Sequence, residues 1–127
     1  MTWRWVDRRA LLLLHAESLA EHGGRAGLRD EGLRDSALAR PLNLVAYGEP
    51  DLADLAAAYA FGLAKNHPFV DGNKRAAILS AGLFLALNGF RLTASQVDAT
   101  QAMLALAAGE LSEEAFARWL RANTTPR

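Results

Sequence analysis

Cysteine is absent from all 127 residues, which excludes disulfide staples and thiolate metal sites and is compatible with a reducing cytoplasm. An excess of charge of either sign is missing too. The 14 basic residues balance the 14 acidic ones, and the local basic clusters, Arg8-Arg9 and Lys74-Arg75, are too small for a nucleic-acid footprint. Direct binding of DNA or RNA is therefore not expected. Long apolar runs are lacking as well: Ala10 to Leu14 is far too short for a membrane span or the core of a signal peptide. What the chain does have is 51% apolar composition and few loop-forming stretches, enough for one core and hardly for two. These features predict one compact domain over residues 1–127, soluble, unprocessed and cytoplasmic.

The apolar spacing is helical throughout and predicts an all-α bundle without repeats. Asp7 is a plausible cap for a first amphipathic helix through Leu11, Leu12, Leu14, Ser18 and Leu19, stopped by Gly23-Gly24. A glycine-rich, charged loop from Gly23 to Gly32 follows, then a short helix from Arg34 to Arg40 that Pro41 is expected to end. Leu42 to Pro50 reads as irregular or extended. Asp51 starts a helix that is small and apolar all round, through Ala56, Ala57, Ala58, Tyr59, Ala60 and Leu63, as befits the middle of a bundle. It must stop by about Asn66, because Pro68 drives His67 out of the α region. A second central helix spans about Asn73 to Asn88, with Ile78, Leu79, Gly82, Leu83 and Ala86 as its packing stripe and Gly89 as its stop. Thr93 or Ser95 caps a further helix to Gly109, and Ser112 opens the last, with Phe116, Trp119 and Leu120 inward.

Between the two central helices stand His67-Pro68-Phe69-Val70-Asp71-Gly72-Asn73-Lys74-Arg75, a base, a carboxylate, a turn and two cations in nine residues. Each has an ordinary explanation when taken alone. His67 could cap the preceding helix, Asp71 could be an Asp-Gly turn residue, and Lys74 and Arg75 could be solvated charges. Together they point to phosphate. Cations in a helical first turn are repelled by the positive end of the macrodipole, by up to about 1 kcal/mol each, unless an anion sits in front of that end. Histidine there can take a proton from a hydroxyl near neutrality, and Asp71 offers the hard oxygen that magnesium needs when it bridges nucleotide phosphates. Gly72 permits a close approach of ligand to backbone, Asn73 can hold the turn or cap the helix, and Phe69 anchors the loop in the core. His15 and His22 have no metal-ligand companions at useful spacing and read as packing or surface residues. The Gly23 to Gly32 loop lacks the lysine-serine/threonine ending of a Walker loop and reads as structural.

The nine residues match every position of the pattern H-x-F-x-[D/E]-G-N-x-R, and the chain resembles the Fic/Doc proteins. Gly23-Gly24, Gly27, Arg29-Asp30, Gly32-Leu33, Ala37-Leu38 and Arg40-Pro41 before the motif, with Phe84-Leu85 and Asn88-Gly89 after it, resemble the death-on-curing (Doc) subgroup. The resemblance covers nearly the whole chain. It implies a Fic-fold helical bundle with ATP and Mg²⁺ as cofactors. In it His67 is the base on a target hydroxyl, Asp71 the magnesium ligand, and Gly72, Asn73, Lys74 and Arg75 the anion cradle.

One position separates two chemistries within that resemblance. AMP-transferring Fic enzymes usually carry Gly-Asn-Gly-Arg, whereas Gly72-Asn73-Lys74-Arg75 resembles the Doc toxins, which transfer the γ-phosphate. The implied acceptor is a threonine of elongation factor Tu, whose phosphorylation stops translation. Gly72 stands where the Doc prototype has alanine, so AMP transfer remains an alternative, as does a catalytically silent nucleotide- or partner-binding module. Inhibition in the family resembles a helix bearing [S/T]-x-x-x-E-[G/N], whose glutamate pairs with the motif arginine, here Arg75. No Ser or Thr in this chain has Glu four residues later, so the resemblance implies a toxin–antitoxin pair in which a Phd-like antitoxin supplies that helix.

Overall fold

A computed structural model describes residues 2–127. Six helices form among the described residues: α1 (Arg8–His22), α2 (Glu31–Tyr47), α3 (Leu52–Asn66), α4 (Asn73–Leu87), α5 (Gln96–Ala108) and α6 (Glu113–Ala122). Five of them start at a side chain that accepts from the first turn: Asp7, Asp30, Asp51, Ser95 and Ser112. α3 lies at the centre and packs against α2, α4, α5 and α6, while α1 lies on α4. The reason is compositional, since Leu55 to Ala60 and Leu63 are buried on every side of α3 and small side chains let four neighbours approach. Tyr59, Phe84, Phe116 and Phe69 fill the space between the helices.

α2 approaches α3 closely at Gly62, where an added Cβ would lie 2.9 Å from Cδ of Arg40 and 3.1 Å from Cα of Ala37. That contact explains a departure from the sequence-based expectation. Pro41 does not end its helix, and Leu42 to Tyr47 is helical rather than irregular. Pro41 removes one backbone hydrogen bond. Ala37, Leu38, Pro41 and Leu44 nevertheless form one continuous stripe against the core, and burial along that stripe outweighs the lost bond. The first helix buries a narrower face than its leucine run suggests: Leu11, His15 and Ser18 point inward, whereas Leu12 and Leu13 are exposed.

A second departure is small. β1 (Phe90–Leu92) and β2 (Thr124–Pro126) pair antiparallel, Arg91 opposite Thr125, and add a two-stranded ribbon to a predominantly helical fold. Pro126 is tolerated because it sits on an edge. No helix is long and apolar enough to cross a membrane among the described residues.

Candidate active site

α3 ends and α4 begins within a single tight loop, and the chain achieves this by two left-handed residues. His67 has φ 49° and ψ 57°, the one non-glycine residue with positive φ among those described, and its N–H donates to Leu63 O at 3.2 Å. A histidine there is strained by about 1–3 kcal/mol, so its neighbours must hold it. Arg29 does so: its Nε donates to His67 O at 2.8 Å and its Nη2 to Asn66 O at 2.9 Å, capping the carbonyl end of α3. Gly72, with φ 76°, makes the second turn and opens α4.

The segment from Gly23 to Asp30 runs across this loop as a strap. Val70 N–H donates to Gly27 O, Arg29 and Asp30 N–H both donate to Pro68 O, and Leu28 bridges Phe69. The glycine-rich segment is thus structural, a support for the motif loop. Phe69 is buried beneath the motif, as expected. Asn73 turns its amide inward, accepting from Phe69 N at 2.9 Å and donating to Phe69 O at 3.0 Å. It ties the loop together, leaving its backbone N–H rather than its side chain for a ligand.

α4 has no side-chain cap and no acidic residue in its first turn. The N–H of Ala76 bonds Gly72 O, so those of Asn73, Lys74 and Arg75 have no partner within the helix. They face a cleft of about 410 Å³ lined by His67, Asp71, Gly72, Lys74, Arg75 and, from α5, Met103 and Leu104. His67, Asp71, Lys74 and Arg75 are all exposed there, and neither cation makes an ion pair among the described residues. The asymmetry suits an anion: unpaired donors, a positive helix end and two cations at one mouth.

Asp71 supplies the opposite charge. Its Oδ2 accepts from Arg25 N at 3.2 Å and its Oδ1 from Gly72 N at 2.8 Å, and these backbone hydrogen bonds, Arg25 first, hold its pKa below the ordinary aspartate value. Each carboxylate oxygen keeps lone pairs for a cation. No group of three or more His, Asp or Glu side chains converges on a metal position among the described residues. One ionised carboxylate beside an anion cradle nonetheless fits Mg²⁺, which takes one or two protein carboxylates and completes its shell from phosphates and water.

Three contributors to this site escaped the motif reading. Arg29 and Arg25 act from the strap, and His15 from α1 lies stacked on Phe69 with its Nε2 2.7 Å from Asp71 O. The clustering of glycines around Arg25 and Arg29, and the place of Arg29 in the Doc-like segment, mark a stretch that must fit closely against something else. His15 packs inward and His22 stays at the surface, each within the range expected of it.

The similarities of the chain follow the same lines. The family model described as Fic/DOC matches residues 5–85, which take in α1, the strap, the motif loop and most of α4. Over 119 residues, 93% of this chain and 94% of the relative, the sequence is 34% identical to Protein kinase doc of Escherichia phage P1. Over 93 residues, 71% of this chain and 68% of the relative, it is 47% identical to Toxin Doc of Mycolicibacterium smegmatis. The chain belongs to the Fic/DOC family.

Proposed function

We propose that the protein is a Doc-like toxin, a single Fic/Doc domain that transfers the γ-phosphate of ATP to a hydroxyl group of a target protein. The observation that carries this reading is the convergence of His67, Asp71, Lys74, Arg75 and the uncapped start of α4 on one cleft. The relatives named as a protein kinase and a toxin support it. In this reading His67 accepts the hydroxyl proton as the oxygen attacks the γ-phosphorus. The bond from that phosphorus to its bridging oxygen breaks, ADP leaves with the electron pair, and the proton passes from His67 to solvent. The N–H groups of α4, Lys74 and Arg75 bind the phosphates. Asp71 would hold Mg²⁺, which when bound would neutralise charge on the phosphate oxygens. Lys74 favours presentation of the terminal phosphate by filling space that glycine would leave to the inner ones.

The resemblance to Doc toxins makes a threonine of elongation factor Tu the first acceptor to try and the cytoplasm the place of action. It also makes a Phd-like antitoxin, folding a glutamate-bearing helix onto Arg75, the expected inhibitor. A second reading, AMP transfer, draws on Gly72, the residue of the other subgroup at that position. Expression in a susceptible host tests the toxin reading. Wild type should arrest growth and incorporation of labelled amino acids, His67→Ala should be harmless, and a co-expressed antitoxin should restore growth. Translation that continues unchanged with the wild type would contradict it.

A further inference from the structure

Beyond the motif, the site holds a buried titratable side chain to which the transfer chemistry gives no task. His15 is 5% exposed, its ring lies parallel to Phe69 at a centroid distance of 3.7 Å, and its Nε2 is 2.7 Å from the carbonyl oxygen of Asp71. A carbonyl only accepts, so Nε2 carries the hydrogen. The same nitrogen would stand 3.5 Å from a Cβ placed on Gly72, which seats the ring against the turn that opens α4.

The peptide joining Asp71 to Gly72 is thereby gripped at both ends. His15 holds its carbonyl, and the Asp71 carboxylate takes its N–H at 2.8 Å on the opposite side. Because a peptide unit is planar, fixing the carbonyl fixes the direction of that N–H, and with it the carboxylate bonded to it. The donor is itself well placed, since α1 is capped by Asp7 and anchored by fully buried Leu11.

We propose that His15 is a positioning residue for phosphoryl transfer: its Nε2–H locks the Asp71–Gly72 peptide and so aims the Asp71 carboxylate and the first turn of α4 into the cleft. This rests on Asp71 as the ligand of nucleotide-bound Mg²⁺. Loss of groups that orient a metal-binding carboxylate typically lowers affinity or activity by about 10–100-fold.

His15→Phe keeps an aromatic ring against Phe69 but removes the donor, whereas His15→Gln returns an N–H close to the position of Nε2. Per folded molecule, His15→Phe should lose about 10–100-fold in kcat with a raised half-saturating Mg²⁺ concentration, and His15→Gln should recover most of both. Wild-type kcat and Mg²⁺ dependence in His15→Phe, or equal losses in the two variants, would overturn the proposal. Should His15→Phe fail to fold, a His15→Gln variant as impaired as predicted for phenylalanine would overturn it alone. Nitrogen NMR of the nucleotide-free wild type gives a readout independent of activity: Nε2 should carry an attached hydrogen, and a bare Nε2 refutes the clamp. An inactive wild type with a hydrogen on Nε2 would instead remove the functional reading, and the role in transfer with it, while leaving the clamp standing.

Discussion

At the scale of single residues, His67 as the proposed base sets function against stability. It occupies a left-handed conformation that glycine adopts freely, and its exposed side chain contributes little packing. His67→Gly should therefore melt no lower than wild type, while phosphoryl transfer falls by ~10²–10⁴-fold, a combination read by thermal denaturation beside a transfer assay. A marked fall in melting temperature would mean that the imidazole supports the fold. Asp71 carries the opposite sign of effect. Its folded pKa is depressed by the N–H groups of Arg25 and Gly72, so the favourable contribution is present above the unfolded value of about 3.9 and fades as pH falls through the folded value. The carboxylate should stay ionised across the neutral and mildly acidic range, and carboxyl-carbon NMR should give a midpoint below that of an ordinary aspartate. A midpoint at or above the ordinary value would show that these two hydrogen bonds do not form in solution. The motif residues were legible in the sequence because their chemistry is written in nine consecutive letters. The left-handed turn at His67 was only half legible: Pro68 forbids the α region but does not choose among the others.

At the scale of elements, the helices most clearly written in the sequence are those with the densest local signals. α3 and α4 fall within a residue or so of the expected ends, because Asp51, Pro68, Gly72 and Gly89 punctuate them. The face of α4 differs, however: it buries Ala76, Ala77, Ser80, Ala81, Phe84 and Leu85 rather than the expected stripe of Ile78, Leu79, Gly82, Leu83 and Ala86, and Leu79 is exposed. The small residues let α3 and α1 pack close. α2 runs past its expected end at Pro41 because what sustains it there is non-local, the buried stripe lying on α3. The β1–β2 ribbon was missed for a related reason, since two three-residue strands 34 residues apart leave no periodicity to find. The dependence of α2 on α3 can be tested at Gly62. Gly62→Leu must push Arg40 and Ala37 away, and overpacking of this kind should lower unfolding free energy by about 1–3 kcal/mol in urea titrations, with helical circular dichroism retained in its absence. Unchanged stability would mean that the two helices are not in close contact. The strap illustrates the same limit of sequence reading. Its glycines marked it as structural, but that it holds Pro68, Val70 and Asp71 from outside the motif is visible only once distant segments are brought together.

At the scale of the whole molecule, separate elements converge on one cleft: α3 delivers His67, α4 its positive end with Lys74 and Arg75, and α5 a wall of Met103 and Leu104. The strap and α1 fix Asp71 from behind. In the proposed reading this arrangement takes a triphosphate between a carboxylate and a helix end, and Lys74 sets which phosphate faces His67. The most direct test is incubation of the purified protein and Mg²⁺ with elongation factor Tu and ATP labelled on either the γ- or the α-phosphate. Label should reach the target from the γ-position alone, disappear with His67→Ala, and weaken with Lys74→Gly, in which some α-label should emerge. Transfer by the wild type from the α-phosphate alone would contradict the kinase reading and establish AMP transfer in its place.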